Sequence, residues 1–286
     1  MKHAIPEETQ LIHQVCNFFG LGEPDVIEPI AIGLANHNYV VSCDHQRFLV
    51  RFLVQQAAEK VVNDQAIHIQ LKTVGLDSPE YLVGESGSVV FTNGQYQVVA
   101  YPFIEGFSPK SGNEQLLPEI GRVLALFHQA VTTLPKQSAG WLEAPHTADV
   151  PSHTVLNSPT LPKGITHGDL HSYNVLVQTQ APTIITALLD FEEAGKGAFI
   201  TDLGRTIMAE CTTADEIRLD RPRIELFLSG YESIRPLTTE ERNVLPEAIR
   251  HAGRCCIQWF TEHGYVKYIP AHQSRIESVD GCFSNS

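Results

Sequence analysis

Apolar residues recur at helical spacing from Glu7 to Phe19, through Leu11, Ile12, Val15, Phe18 and Phe19, and Gly20 and Gly22 close the run. The pattern predicts a first helix. The period then changes. Residues 26–30, 39–43 and 47–53 are β-branched and aromatic runs, separated by Gly, Asn and Asp in GLANHN and at Cys43-Asp44-His45-Gln46, which predicts a meander of strands. A helical period returns over 55–74, through Val61, Ile67, Leu71 and Val74, with Gly75 as its stop. Three short strands are expected next, at 81–83, 88–91 and 97–101, with Asn93-Gly94 as a hairpin turn. Residues 25–101 therefore read as a small, mostly antiparallel sheet with one inserted helix.

The second half patterns differently. Residues 113–131 form an amphipathic helical repeat, and a loop with several Pro and Ser covers 145–163. Two short apolar runs lie around 174–177 and 184–191, and 202–260 is largely helical in pattern. A strand-rich part followed by a helix-rich part predicts an α+β chain of two lobes, 1–101 and 102–286, with a cleft between them. No internal repeat or low-complexity tract interrupts it.

Composition narrows the function classes. The 286 residues are 43% hydrophobic and 19% charged, as in a globular chain, and the net charge is −13. An acidic balance argues against a nucleic-acid binder and against attraction to an anionic membrane, and favours a cationic partner if any. No stretch of about 18 apolar residues suggests a membrane span, and the first 20 residues do not pattern as a signal peptide. The six cysteines include no CxxC pair, so a reduced, cytoplasmic setting is expected, without zinc.

The candidate chemistry lies in His167-Gly168-Asp169-Leu170-His171-Ser172-Tyr173-Asn174 and in Asp190-Phe191. Asp169 and Asn174 sit five apart in a loop entering a strand, and Asp190 ends the next strand. Phosphoryl transfer needs a carboxylate to hold an acceptor hydroxyl, hard oxygen ligands for Mg²⁺ and neutralisation of phosphate charge. Asp169, Asn174 and Asp190 supply that set, and a hairpin would bring Asn174 close to Asp190. Each residue alone reads equally well as a turn or cap residue; the joint pattern points to a kinase using ATP and Mg²⁺.

HGDLHSYNVLV (167–177), LLDFEEAG (188–195) and Thr201-Asp202-Leu203 together resemble the aminoglycoside phosphotransferase-like kinase superfamily, which includes choline, homoserine and antibiotic kinases. The resemblance covers roughly 25–260. It implies a bilobal protein-kinase-like fold, with a small antiparallel-sheet N-lobe that binds nucleotide and a mainly helical C-lobe. It implies that Asp169 is the catalytic aspartate, that Asn174 and Asp190 are Mg²⁺ ligands, and that His167 and Asp202 support the catalytic loop. In the first lobe, Gly33, Asn36 and Asn38 of GLANHNYVV occupy the place of the nucleotide-covering loop. Arg51 stands where such kinases have a lysine, and Asp64, or Glu59, where they have its glutamate partner. Tyr101 and Phe103 of VVAYPFIEG fall at the hinge that reads adenine.

The expected acceptor is a small hydroxylated molecule, with an amino alcohol such as homoserine or choline as first choice. Glu192, Glu193, Glu210, Tyr231 and Trp259 are candidate contacts for its ammonium. The tract 230–238 resembles the C-terminal region of homoserine-kinase-like members, with Thr238 capping a helix ahead of Glu240 and Glu241. An antibiotic kinase and an inactive kinase fold used as a binding module are the alternatives. The sequence is silent on oligomeric state.

Overall fold

A computed structural model of the chain describes residues 5–30, 36–54, 58–136, 139–143, 156 and 158–284. They fall into two compact units: 1–69 with 78–105, and 70–77 with 106–286.

The first unit is built on a five-stranded antiparallel sheet of order β1-β2-β3-β5-β4. Its strands are β1 (Val26–Ile30), β2 (His37–Cys43), β3 (Gln46–Phe52), β4 (Phe91–Asn93) and β5 (Tyr96–Pro102). The period-two pattern sorts side chains between the faces. Tyr39, Val41, Val50, Phe52, Val98 and Ala100 pack with Ile12, Val15 and Cys16 of helix α1 (Pro6–Phe18). On the opposite face Val99 and Tyr101 meet Tyr81 and Val61, the first residue of α2 (Val61–Lys72). The expected Asn93-Gly94 turn joins β4 to β5. Two expected strands do not form: 81–83 touches the sheet through one backbone bond, Leu82 N–H to the Ala100 carbonyl at 2.7 Å, and 88–90 is irregular. A tight turn from Gly84 to Ser88 separates these residues and denies them a ladder.

The second unit is mainly helical. Helix α3 (Leu117–Ala130) matches its predicted amphipathic repeat. It lies against α5 (Arg221–Glu232) at a spacing only glycine permits: a Cβ on Gly121 would stand 2.1 Å from the Phe227 carbonyl oxygen, and one on Gly230 1.8 Å from that of Pro118. Two antiparallel pairs, β6 (Lys163–Thr166) with β9 (Gly195–Ala198) and β7 (Val175–Gln178) with β8 (Ala181–Leu188), carry the loops of interest. Helix α4 (Phe199–Glu210) follows β9 directly and packs on α6 (Thr239–Glu262). The predicted cap of α6 is a full capping box, with Thr238 Oγ1 accepting from Glu241 N–H at 3.1 Å and Glu241 Oε2 from Thr238 N–H at 2.9 Å. A last helix, α7 (Ile269–Phe283), and the β6–β9 pair were not legible in the sequence: β6 and β9 are four-residue, glycine-bearing segments, and α7 has few apolar positions. Among the described residues no helix is long and apolar enough to cross a membrane. All six cysteines are buried free thiols.

Candidate active site

Strand β6 leads into the loop 167–171, a single 3₁₀ turn (Ser172–Asn174) leads into β7, and β8 ends just before Asp190. The β7–β8 hairpin brings the two ends together. Leu189 N–H donates to the Asn174 carbonyl at 2.9 Å, so Asn174 stands opposite Leu189, the residue before Asp190. Asp190 has φ 65°, the left-handed region that costs a non-glycine residue about 1 kcal/mol. Here it turns the chain sharply out of β8, an outlier of the kind concentrated at functional sites. Asn174 is buried, and its Nδ2 donates to the Asp169 carbonyl at 2.9 Å. That bond fixes the amide so that its Oδ1 is the atom left to act as an oxygen ligand.

Helix α4 fixes the loop from below. Asp202, Arg205, Thr206 and Glu210 are spaced i, i+3, i+4 and i+8, on one helix face. Asp202 is fully buried and takes two loop amides, His167 N–H on Oδ2 at 2.6 Å and Gly168 N–H on Oδ1 at 2.9 Å. Thr206 Oγ1 donates to the Leu170 carbonyl at 3.0 Å. Glu210 accepts from Ser172 N–H and Ser172 Oγ, both at 2.7 Å, and from Gly112 N–H at 2.9 Å. Glu210, a candidate substrate contact in the sequence, is thus a buried brace of the loop and is spent on its own chain.

Arg205 forms an ion pair with Asp169 Oδ1, and His171 Nε2 lies 3.3 Å from Asp169 Oδ2. Burial pushes the Asp169 carboxyl up, but the Arg205 guanidinium and then His171 outweigh it and hold the group well below the usual carboxylate range. Asp169 is therefore ionised at any neutral pH. Asp202 is likewise lowered: burial opposes ionisation, and the hydrogen bond and charge of His128, followed by the charge and amide of His167, more than offset it. His167 is pushed down by burial, against the pull of Asp202, Asp169 and Asp190, and is neutral. Its Nε2 donates to the Leu189 carbonyl at 3.2 Å and its ring packs on Phe127 and Phe191, so it joins the loop to the end of β8.

Behind Asp202 runs a buried relay that the sequence did not reveal. Arg235 Nη1 donates to Tyr231 Oη at 3.1 Å, Tyr231 Oη lies 2.8 Å from His128 Nδ1, and His128 Nε2 lies 3.0 Å from Asp202 Oδ2. Arg235 also donates to Glu241 at 2.8 Å, linking the relay to the capping box of α6. Tyr231, another candidate substrate contact, is fully buried in this relay and cannot reach a ligand. Glu192 and Glu193 lie half-buried in the turn between Asp190 and β9, and Trp259 is half-buried near the end of α6.

In the first unit, Gly33 and the Glu59 side chain lie outside the described residues. Asn36 is buried and its Oδ1 accepts from Val54 N–H at 3.0 Å, which braces the strand ends. Asn38 and Arg51 are cross-strand partners, with Arg51 Nε donating to Asn38 Oδ1 at 3.0 Å. Asp64 Oδ2 accepts from Tyr81 Oη at 2.8 Å. The Tyr81 hydroxyl is pushed well up by burial and by Asp64, with Arg51 opposing, so Arg51 and Asp64 flank one group. Tyr101 pairs with Leu49 in the ladder, and Phe103 N–H donates to the Arg47 carbonyl at 2.9 Å. That bond continues the β3–β5 pairing one residue past β5.

Residues 26–237 match the phosphotransferase enzyme family. The homoserine kinase of Polaromonas naphthalenivorans (strain CJ2) is 25% identical over 260 residues, covering 82% of this chain and 81% of the relative. That of Methylobacillus flagellatus is 26% identical over 254 residues, covering 82% and 78%. Among solved structures, a microcompartment-associated aminopropanol kinase superposes with a TM-score of 0.75 at 17% identity, over 95% of this chain and 96% of that one. An amicoumacin kinase solved with AMP-PNP and Ca²⁺ gives 0.75 at 14% identity, over 97% and 94%.

Proposed function

Because the chain belongs to the phosphotransferase enzyme family and has the bilobal, protein-kinase-like α+β fold of its solved neighbours, we propose that it is a small-molecule kinase that moves the γ-phosphate of ATP to the hydroxyl of an amino alcohol. The observation that carries this reading is the joint placement of Asp169, Asn174 and Asp190 around one hairpin-and-loop junction, with the loop pinned to α4.

The acceptor hydroxyl donates to Asp169. Its oxygen forms the new bond to the γ-phosphorus, the bond from that phosphorus to the β–γ bridging oxygen breaks, and ADP leaves. The proton passes to Asp169. A carboxylate held at low pKa is a weak base, which suits a loose transition state in which the proton leaves late and positioning does most of the work. Asn174 Oδ1 and the Asp190 carboxylate are hard oxygen donors on neighbouring backbone positions, a set that fits Mg²⁺ completed by phosphate oxygens and water. A Mg²⁺ held there would neutralise phosphate charge.

The acceptor class follows from the relatives, which are homoserine kinases, and from the aminopropanol kinase among the solved neighbours. A binding module without activity would have no need of an ionised Asp169 beside an oriented Asn174. The test is ADP release from MgATP across a panel of amino alcohols, sugars and aminoglycosides. The proposal expects turnover with one or more amino alcohols well above the acceptor-free rate; turnover with none of them, or only with sugars or aminoglycosides, would contradict it.

A further inference from the structure

Segment 106–113 precedes α3 and is pinned beside loop 167–174, within the second unit. Phe107 exchanges both backbone bonds with Val177 of β7: Phe107 N–H donates to the Val177 carbonyl at 3.0 Å, and Val177 N–H to the Phe107 carbonyl at 3.1 Å. Ser108 Oγ donates to the Tyr173 carbonyl at 3.3 Å. At the far end, Gly112 N–H donates to Glu210 Oε2 at 2.9 Å, and the Gly112 carbonyl accepts from Arg223 Nη1 at 2.7 Å. Glu210 also accepts from Ser172, so one buried carboxylate holds both the segment and the loop.

Two large aromatic side chains on this pinned backbone remain in solvent: Tyr173 is 53% exposed and Phe107 44%. Isolated exposed aromatics are ordinary on a protein surface. Tyr173 differs in its place and in how firmly it is set. Its N–H donates to His171 Nδ1 at 3.2 Å and its carbonyl is held by Ser108, so the backbone that carries the ring is fixed on both sides. Among the described residues its ring contact is edge-to-face with His171, centroids 5.8 Å apart, which leaves more than half of the residue open. His171 Nε2 in turn lies 3.3 Å from Asp169 Oδ2. A single imidazole therefore separates the Tyr173 ring from the carboxylate to which the acceptor hydroxyl is brought. A molecule that places its hydroxyl on Asp169 and extends past His171 lays its next atoms along the tyrosine. A rigid aromatic surface gains from hydrocarbon laid on it, and its fixed backbone spares the cost of ordering on binding.

We propose that Tyr173, with Phe107 on the adjoining segment, is the wall that holds the hydrocarbon stem of the acceptor, and that it selects acceptors by the length of that stem. The proposal rests on the kinase reading for the identity of the ligand, but its test does not. Ethylammonium, propylammonium and butylammonium carry the stem and no hydroxyl, so their binding is independent of phosphoryl transfer. It is measured on the full chain, without nucleotide, by ligand-observed NMR. Affinity should rise about two- to fourfold per methylene in the wild type. Tyr173→Ala should flatten that rise, and Tyr173→Phe, which keeps the ring, should preserve it. Over the matching amino alcohols, kcat/KM should climb with the same slope, and Tyr173→Ala should remove the slope through the acceptor KM more than through kcat. Tyr173 is half in solvent, so its replacement leaves the fold intact, which circular dichroism checks. No binding to the wild type, a flat series in the wild type, a slope unchanged in Tyr173→Ala, or a loss in that variant equal at every chain length would each overturn the proposal. Absence of turnover with every amino alcohol would contradict the kinase reading and leave the alkylammonium result to stand or fall by itself.

Discussion

Asp169 owes its charge to Arg205, three residues beyond Asp202 on the same helix face. With the guanidinium present the carboxyl is ionised far below neutral pH. The wild type should therefore show no acid limb from this group between pH 5 and 8. In Arg205→Met the largest lowering influence goes while burial and His171 remain, so the Asp169 pKa rises from its depressed value toward the acid range that is assayed. The kcat/KM of that variant should fall about tenfold per pH unit below the new pKa, and Arg205→Lys should recover part of the loss. An unchanged acid limb in Arg205→Met would show that Arg205 does not set Asp169. Asp169, Asn174, Asp190, His167 and Asp202 were legible as one candidate group in the sequence, because their residue types stand at short, recognisable spacing. Arg205 and Glu210 were not, because each acts on a loop residue 36 or 38 positions away. One signal was available: the i, i+3, i+4, i+8 polar stripe on α4 is unusual in a helix whose remaining residues are mostly apolar. Tyr231 and Glu210 were misread as substrate contacts because sequence cannot separate a buried polar side chain from one that faces a ligand.

The loop 167–174 is held as an element. It is bonded to α4 through Asp202, Thr206 and Glu210, to the end of β8 through His167, and through the His128–Tyr231–Arg235 relay to the cap of α6. Its tightest point is Gly168, with φ +83° and the Glu193 carbonyl against it. Gly168→Ala must relieve a 2.6 Å contact and adopt a left-handed conformation, which together cost on the order of 1–3 kcal/mol. Denaturant unfolding should report that loss, and kcat should fall with it because Asp169 is the next residue. Unchanged stability and kcat would show that the loop is looser than these contacts imply. The strongly periodic elements, α1, α3 and the β1–β3 meander, were readable from pattern alone. The β6–β9 pair was not, because its strands are four-residue, glycine-bearing segments without an apolar alternation.

The whole chain is two compact units, and its chemistry is divided unequally between them. The second holds Asp169, Asn174 and Asp190 and the network that fixes them. The first contributes a sheet in which Arg51 and Asp64 flank Tyr81, and in which Asn36, Arg51 and the Phe103 amide make internal hydrogen bonds. The α+β class and the reaction were therefore legible from a few loop residues and a change of hydrophobic period, while those internal bonds were not, because amides that serve a sheet look the same in sequence as those that serve a ligand. The most direct measurement follows the phosphorus itself. With MgATP and the best amino alcohol from the panel, ³¹P NMR should show a phosphomonoester of the acceptor growing as ADP accumulates with the wild type. With a folded Asp169→Asn protein its rate of growth should drop by about 10²–10⁴-fold. Equal phosphomonoester formation by the two proteins, or ADP with no phosphomonoester from the wild type, would contradict phosphoryl transfer through Asp169.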